Sequence, residues 1–384
     1  MSLPLDGIRV LDLTRLLPGP YTSLMLADFG ADVIKIEDPK VGDYARWGEP
    51  KINNYNAMFH SLNRNKRSIT LDLKSEEGKE MFLDLVKTTD VLIESFRPGV
   101  MERLGLGYEV LKNYNSKLIY CAITGYGQTG PLRDIPGHDI NFLSYSGVLD
   151  LQKDSKGYPV SSPVQIGDIG GGALMATIGI LTAIIEANKS GDGQFIDISM
   201  LDGTISWMQT TLPNYLATNE LQESGELLLS GGMACYEIYE TRDKRFLSVG
   251  ALEPKFWLNF CKVIGKDELI TQLNAPFEQQ KRMKMEIQSV IEKKTLQEWV
   301  ALFEDVDACV TPVLTIAEMV EHPQILQRKM IEEVEDLNSL PMRQIANPIK
   351  LSRTPAKIYR KPPELGEHNE EVLRELRLVN GLEE

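Results

Sequence analysis

The residues best suited to chemistry in this chain lie in two short stretches thirty positions apart, Gly137-His138-Asp139-Ile140-Asn141 and Gly167-Asp168-Ile169-Gly170-Gly171-Gly172. A histidine and an aspartate facing one pocket form an acid/base pair able to move a proton on and off carbon. The second stretch opens an apolar helical segment. Backbone N–H groups at its start would hold an oxyanion, and its three glycines would let a ligand approach them. Each residue also has a plainer reading. Asp168 is a preferred N-cap type ahead of a helix, and a lone histidine is more often a hydrogen-bonded structural group than a base. His138 is one of four histidines, with His60, His322 and His368, and Pro136-Gly137 sets it on a turn, where side chains project into clefts. Glu253, in Gly250-Ala251-Leu252-Glu253-Pro254, lies between a strand and a helix start. It reads as a first-turn acid favoured by the helix dipole, or as the partner that orients His138.

Anion contacts are sought among the basic residues, because the chain as a whole repels anions: 41 basic against 55 acidic residues give a net charge of −14. That balance speaks against a nucleic-acid surface and against an anionic membrane. Asn63-Arg64-Asn65-Lys66-Arg67 and Arg97-Pro98-Gly99 then stand out, with Arg64, Lys66, Arg67 and Arg97 as candidate phosphate contacts. The four cysteines, Cys121, Cys235, Cys261 and Cys309, show no CxxC pairing and no histidine cluster, so they read as reduced thiols and no metal site is expected. The first residues lack the basic and apolar runs of a secretory leader, and the last do not form a peroxisomal address. The cytoplasm is the expected compartment.

These residues need elements to position them. Ile8–Leu13, Asp32–Glu37, Ser68–Leu73, Val91–Glu94 and Leu118–Thr124 read as short buried strands. Pro18–Phe29, Ser75–Lys87 and Gly99–Asn113 supply helical periodicity between them. Such alternation predicts a parallel, doubly wound, Rossmann-like α/β sheet covered on both faces. The dinucleotide fingerprint is missing, since Pro18-Gly19-Pro20 follows the first strand in place of Gly-x-Gly-x-x-Gly. The apolar segment behind Asp168 reads as a core helix rather than a membrane span, and Gly191-Asp192-Gly193 turns the chain into a strand at Gln194–Ser199. At 384 residues two domains are expected. The boundaries fall at 1–224, completed by 331–384, for the large domain, and at 225–330 for a smaller α+β domain built on a hairpin of Tyr236–Glu240 and Phe246–Val249.

Taken together these stretches resemble the class III CoA-transferase (CaiB/BaiF) superfamily from about Leu5 to His368. The resemblance rests on Val10–Leu13 with Pro18-Gly19-Pro20, on Leu26–Glu37, on Arg97-Pro98-Gly99-Val100 and on Gly125–Gly130. Gly137–Asn141, Gly250–Pro254 and Asp307–Pro312 make the chain most similar to the alpha-methylacyl-CoA racemase branch. The resemblance implies an interlocked homodimer, each subunit a large Rossmann-like and a small domain, and an acyl-CoA substrate. It implies catalytic roles for His138, Asp168 and Glu253, and a CoA site lined by Leu71, Asp72, Leu73 and Lys74 and by Gly137, His138, Asp139, Ile140 and Asn141. Two departures stand out. Asp38 follows the second strand where the racemases carry an arginine that contacts the nucleotide, so Arg64, Lys66, Arg67 or Arg97 would have to compensate. Phe142 stands where they tend to have tyrosine. The reaction so implied is interconversion of (2R)- and (2S)-2-methylacyl-CoA by two-base proton transfer, a step in fatty-acid metabolism needing no metal or redox cofactor. The alternative is CoA transfer between carboxylic acids with Asp168 as nucleophile.

Overall fold

A computed structural model describes residues 2–52, 54–154, 156–221, 224–334 and 342–379. The chain divides into two units. One holds Met1–Val148, Ser162–Trp207 and Gln327–Glu384, the other Leu149–Ser161 and Met208–Leu326. The second unit is thus wider than the 225–330 read from sequence, taking in 149–161 and 208–224 as well. Local bonding accounts for the first of these: Lys153 pairs with Pro159, and the Lys153 N–H donates to Ser224 Oγ at 3.2 Å.

The first unit is built on six parallel strands: β1 (Arg9–Asp12), β2 (Asp32–Glu37), β3 (Lys66–Thr70), β4 (Val91–Glu94), β5 (Ile119–Thr124) and β6 (Phe195–Ser199). Their order in the sheet is β3-β2-β1-β4-β5-β6. Alternate residues feed two separate cores. Val10, Val33, Val91 and Ile93 go to one face, Leu11, Ile34, Ile36 and Leu92 to the other. Both faces are apolar, which is why the strands read as near-continuous hydrophobic runs and why the sheet is parallel. The expected α/β sheet is therefore present. The strand order reverses between β1 and β4, and in open α/β sheets ligands bind beyond the carboxyl ends of the strands at that point.

Helix α1 (Pro18–Asp28) follows β1 through a turn too tight for a side chain at Gly19, where an added Cβ would lie 2.1 Å from Thr14 Cβ. Helix α2 (Glu76–Val86) is N-capped by Ser75. The expected Gly99–Asn113 helix is broken in two by Gly105, whose φ of 76° ends the first piece at Leu104. Helix α3 (Asp139–Tyr145) begins directly after His138.

Asp168 lies in a π-helical segment, Ile166–Leu174, that runs without a break into α4 (Met175–Ser190). The combined run is long and apolar enough to cross a membrane by length and composition alone. Its Ala176, Ile180 and Ala183 are buried in the core that also takes Val10 and Val91 of the sheet. Helix α5 (Met200–Ser206) packs against the π segment at very short range: a Cβ on Gly203 would sit 2.0 Å from the Gly171 carbonyl oxygen.

The second unit has an antiparallel sheet of β7 (Tyr236–Glu240), β8 (Phe246–Gly250) and β9 (Val310–Pro312), with β8 in the middle. Helices α6 (Pro254–Ile264), α7 (Phe277–Ile291) and α8 (Leu296–Phe303) contribute Trp257, Phe260, Ile287 and Trp299 to a core shared with Tyr239, Leu247 and Val249.

Candidate active site

A cavity of about 720 Å³ opens in the first unit, over the carboxyl ends of β1, β4 and β5. Its walls include Arg15, Phe96, Arg97, Tyr126, His138 and Asp168. The position is the one the strand order designates, and it brings together the two motifs singled out in the sequence.

A hydrogen bond ties those motifs to each other. The Asp168 N–H donates to Asp139 Oδ1 at 2.9 Å, so the residue after the histidine anchors the aspartate's own backbone. Main-chain atoms of His138 fix its turn: its N–H donates to Asn141 Oδ1 at 3.0 Å, and its C=O accepts the Asn141 N–H at 2.8 Å. Gly137 is required there, because a Cβ would meet the Phe142 ring at 2.7 Å and the Tyr126 hydroxyl at 2.8 Å. Phe142 is fully buried and stands edge-on to Tyr126, with ring centroids 5.3 Å apart. Burial first, and the Asp139 carboxylate second, push the Asp168 carboxyl up to about 6, against the opposing pull of His138. A carboxyl tuned to that value can both take and give a proton near neutral pH.

Two local expectations change. Asp168 is not an N-cap: it is the third residue of the π-helical segment, and Gln165 precedes that segment. The glycines behind it do not open a ligand path either. A Cβ on Gly170 would strike the Trp207 ring at 2.5 Å, one on Gly171 the Met200 carbonyl at 2.6 Å, and one on Gly172 Met200 Cγ at 2.8 Å. They are small so that α5 and Trp207 can pack against the segment. The N–H groups of Asp168 and Ile169 are likewise committed, to Asp139 Oδ1 and to the Gln165 carbonyl.

Of the residues assigned to a CoA site, Arg97, Gly137, His138 and Asn141 line the cavity. Asp139 accepts the Asp168 N–H and does not line it, and Ile140 is half exposed. Leu71, Asp72, Leu73 and Lys74 do not line it. They follow β3 at the edge of the sheet, where Leu71 is buried in the core, Leu73 packs against it, and Asp72 Oδ1 accepts the Lys74 N–H. Glu253 belongs to the second unit, exposed at the N-cap position of α6 without a capping side-chain bond.

The basic cluster after Asn63 is a correction. Arg64 is buried against Asp28 at 2.7 Å, Lys66 against Asp12 at 3.3 Å, and Arg67 is held by Asp32, Glu371 and Glu375. All three cations are spent on cross-links inside the first unit, so none is left for a phosphate. Breaking such a pair strands a buried charge, at a cost of about 3–5 kcal/mol. Arg64→Met is therefore expected to lose stability of that order in urea denaturation while changing the Kd for free CoA less than twofold.

Sequence reading missed Arg15 and Arg133, which line the cavity, and Glu94, the residue before the lining segment Ser95-Phe96-Arg97. The Phe96 N–H donates to Glu94 Oε2 at 2.7 Å, which holds the loop carrying Arg97. Burial pushes the Glu94 carboxyl up to about 8. Nothing but its place at a strand end marked it.

The fold is thus a Rossmann-type sheet without a dinucleotide fingerprint, with His138 and Asp168 lining one cavity at its switch point. The chain belongs to CoA-transferase family III, whose profile matches residues 5–369. It is 40% identical over 377 residues to an alpha-methylacyl-CoA racemase of Mus musculus, covering 97% of this chain and 93% of the relative. It is also 35% identical over 395 residues to a succinate–glutarate CoA-transferase of Agrobacterium fabrum, covering 98% and 96%. Among solved structures, a CaiB/BaiF family protein from Brucella suis superposes with a TM-score of 0.85 at 29% identity, covering 98% of this chain and all of that one.

Proposed function

We propose that this enzyme interconverts the (2R) and (2S) epimers of a 2-methylacyl-CoA thioester by two-base proton transfer through an enolate. The observation that carries this reading is the pairing of His138 with an Asp168 tuned to about 6 in one cavity, the two stitched together through Asp139. One group removes the C2 proton from one face of the α-carbon while the other returns a proton to the opposite face. The enolate oxygen draws on the positive end of the helical run that begins at Ile166. Within this proposal Glu253 is the acid that orients the imidazole, and no metal or redox group takes part. The enzyme is proposed to act as a homodimer in the cytoplasm.

A second reading stays in view because a CoA-transferase is nearly as similar to this chain as the racemase. Asp168 would attack the thioester carbonyl and expel CoA thiolate as an acyl-aspartyl anhydride forms; the thiolate would then attack the aspartyl carbonyl, releasing the first acid as its carboxylate, and a second carboxylate would run the same steps in reverse, leaving as its CoA thioester and freeing Asp168. The readings part on one experiment: incubation with (2R)-2-methylacyl-CoA in D2O, with and without a free carboxylic acid. Deuterium at C2 with scrambled stereochemistry, independent of the added acid, is the expected result. Acyl exchange that needs the added acid, with no label at C2, would replace the first reading by the second.

A further inference from the structure

The cavity's charge runs against that of the chain. Three guanidinium groups line it, those of Arg15, Arg97 and Arg133, against one carboxylate, Asp168, in a protein of net charge −14. Arg133 is partly satisfied by Asp134, at 2.9 Å. Arg15 has no carboxylate within ion-pair distance among the described residues, yet it is held in place. Its guanidinium carbon lies 5.1 Å from the ring centroid of Tyr44 and 5.8 Å from that of Phe96, and its Nη1 donates to Tyr44 Oη at 3.2 Å.

Both sides of this seat hang from one buried carboxylate oxygen. Asp43 Oδ1 accepts the Leu16 N–H at 3.0 Å, next to Arg15, and the Ala45 N–H at 2.9 Å, next to Tyr44. Asp43 is itself fixed by Lys35, 2.8 Å away, and Lys35 also donates to the Thr14 carbonyl on the other side of Arg15 at 2.8 Å. Leu16 is driven to a φ of 66°, a strained value for a side chain of its type. A buried salt bridge and a strained backbone residue thus flank one half-buried cation at the cavity wall. Asp38, the nearby acid, makes no ion pair with Arg15: its carboxylate accepts the Lys40 and Val41 N–H groups at 2.8 and 3.1 Å, and these bonds first, with the Arg15 charge helping, hold its carboxyl below the usual range.

We propose that Arg15, pre-oriented on Tyr44 and Phe96, binds a phosphate group of the CoA moiety and is a principal determinant of CoA affinity in this enzyme. The proposal rests on the acyl-CoA reading above, but on neither of its two reactions. A planar guanidinium without a directly paired carboxylate suits phosphate oxygens by charge and by fork geometry. Because its seat is already built, little ordering cost is added on binding.

The test is calorimetric binding of free CoA, 3′-dephospho-CoA and pantetheine to the full chain. Arg15→Met is expected to weaken CoA at least tenfold, the scale of a lost charge-assisted hydrogen bond. Pantetheine should bind as to wild type, and Arg15→Lys should restore part of the CoA affinity. The dephospho-CoA arm then assigns the contact to the 3′-phosphate, if the effect of Arg15→Met disappears, or to the diphosphate, if it persists. CoA affinity within twofold of wild type in Arg15→Met would overturn the proposal, and so would equal losses for CoA and pantetheine. A second measurement needs no variant. Phenylglyoxal modification of Arg15, read by peptide mass spectrometry, should be blocked by CoA and not by pantetheine, and modification indifferent to CoA would overturn the assignment. If wild-type protein binds no CoA at all, the acyl-CoA reading fails with it. If it binds CoA but ignores Arg15, only this inference falls.

Discussion

His138→Ala is expected to reduce interconversion of the (2R) and (2S) epimers of 2-methylacyl-CoA by about a hundred- to ten-thousand-fold, the range typical of losing a positioned acid/base group. The fold should survive, because the bonds that make the turn run through the His138 main chain and the Asn141 side chain. The cavity should still take CoA, so the loss should fall on turnover and leave the Kd for CoA within about threefold. Chiral analysis of the recovered acyl group gives the rate, and a thermal melt checks the fold. CoA transfer through Asp168 does not call on the imidazole. A variant that keeps full interconversion of the epimers would therefore remove proton transfer by His138 from the account.

Asp168→Asn should remove activity under either reading, and it should also make the protein more stable. The folded-state carboxyl stands at about 6 against an ordinary 3.8, so the folded chain holds this proton more tightly than the unfolded one. Stability from this group is complete below about 3.8, falls as pH rises through the interval, and is gone above about 6. Asparagine escapes that loss. The variant should gain up to about 3 kcal/mol over wild type at pH 7–8 and nothing near pH 3.5, as read from urea midpoints across pH. The same value shapes turnover. The epimer that Asp168 deprotonates should show kcat/KM rising with pH through about 6, and the epimer to which it returns a proton should show the reverse. Equal stability of the two proteins at pH 8 would mean that Asp168 is not held high.

Much of the scaffold could be read from the chain because a parallel sheet writes itself as alternating short apolar strands and helices. Val10 and Leu11 point to opposite cores and both must be hydrophobic, so the run is unmistakable. His138 and Asp168 were legible because glycine and a turn flanked both. The basic cluster was misread because sequence gives a cation's sign but not its partner. The acids that hold Arg64 and Arg67 lie at Asp28, Asp32, Glu371 and Glu375, up to 308 positions away. The glycines behind Asp168 were misread for a related reason: smallness looks the same whether a ligand or another helix needs the space. Arg15 could not be found because its meaning comes from Tyr44 and Phe96, which only the fold brings beside it.

The π-helical turns around Asp168 carry a last consequence. A π turn spends more residues per revolution than the α-helix that continues it, and such turns recur at functional sites. The winding of Ile166–Leu174 is thereby uncoupled from the Ala176–Ile180–Ala183 stripe that α4 presents to the core. A substitution that changes the winding of the π turns should therefore move the Asp168 carboxylate while the buried stripe keeps α4 in place.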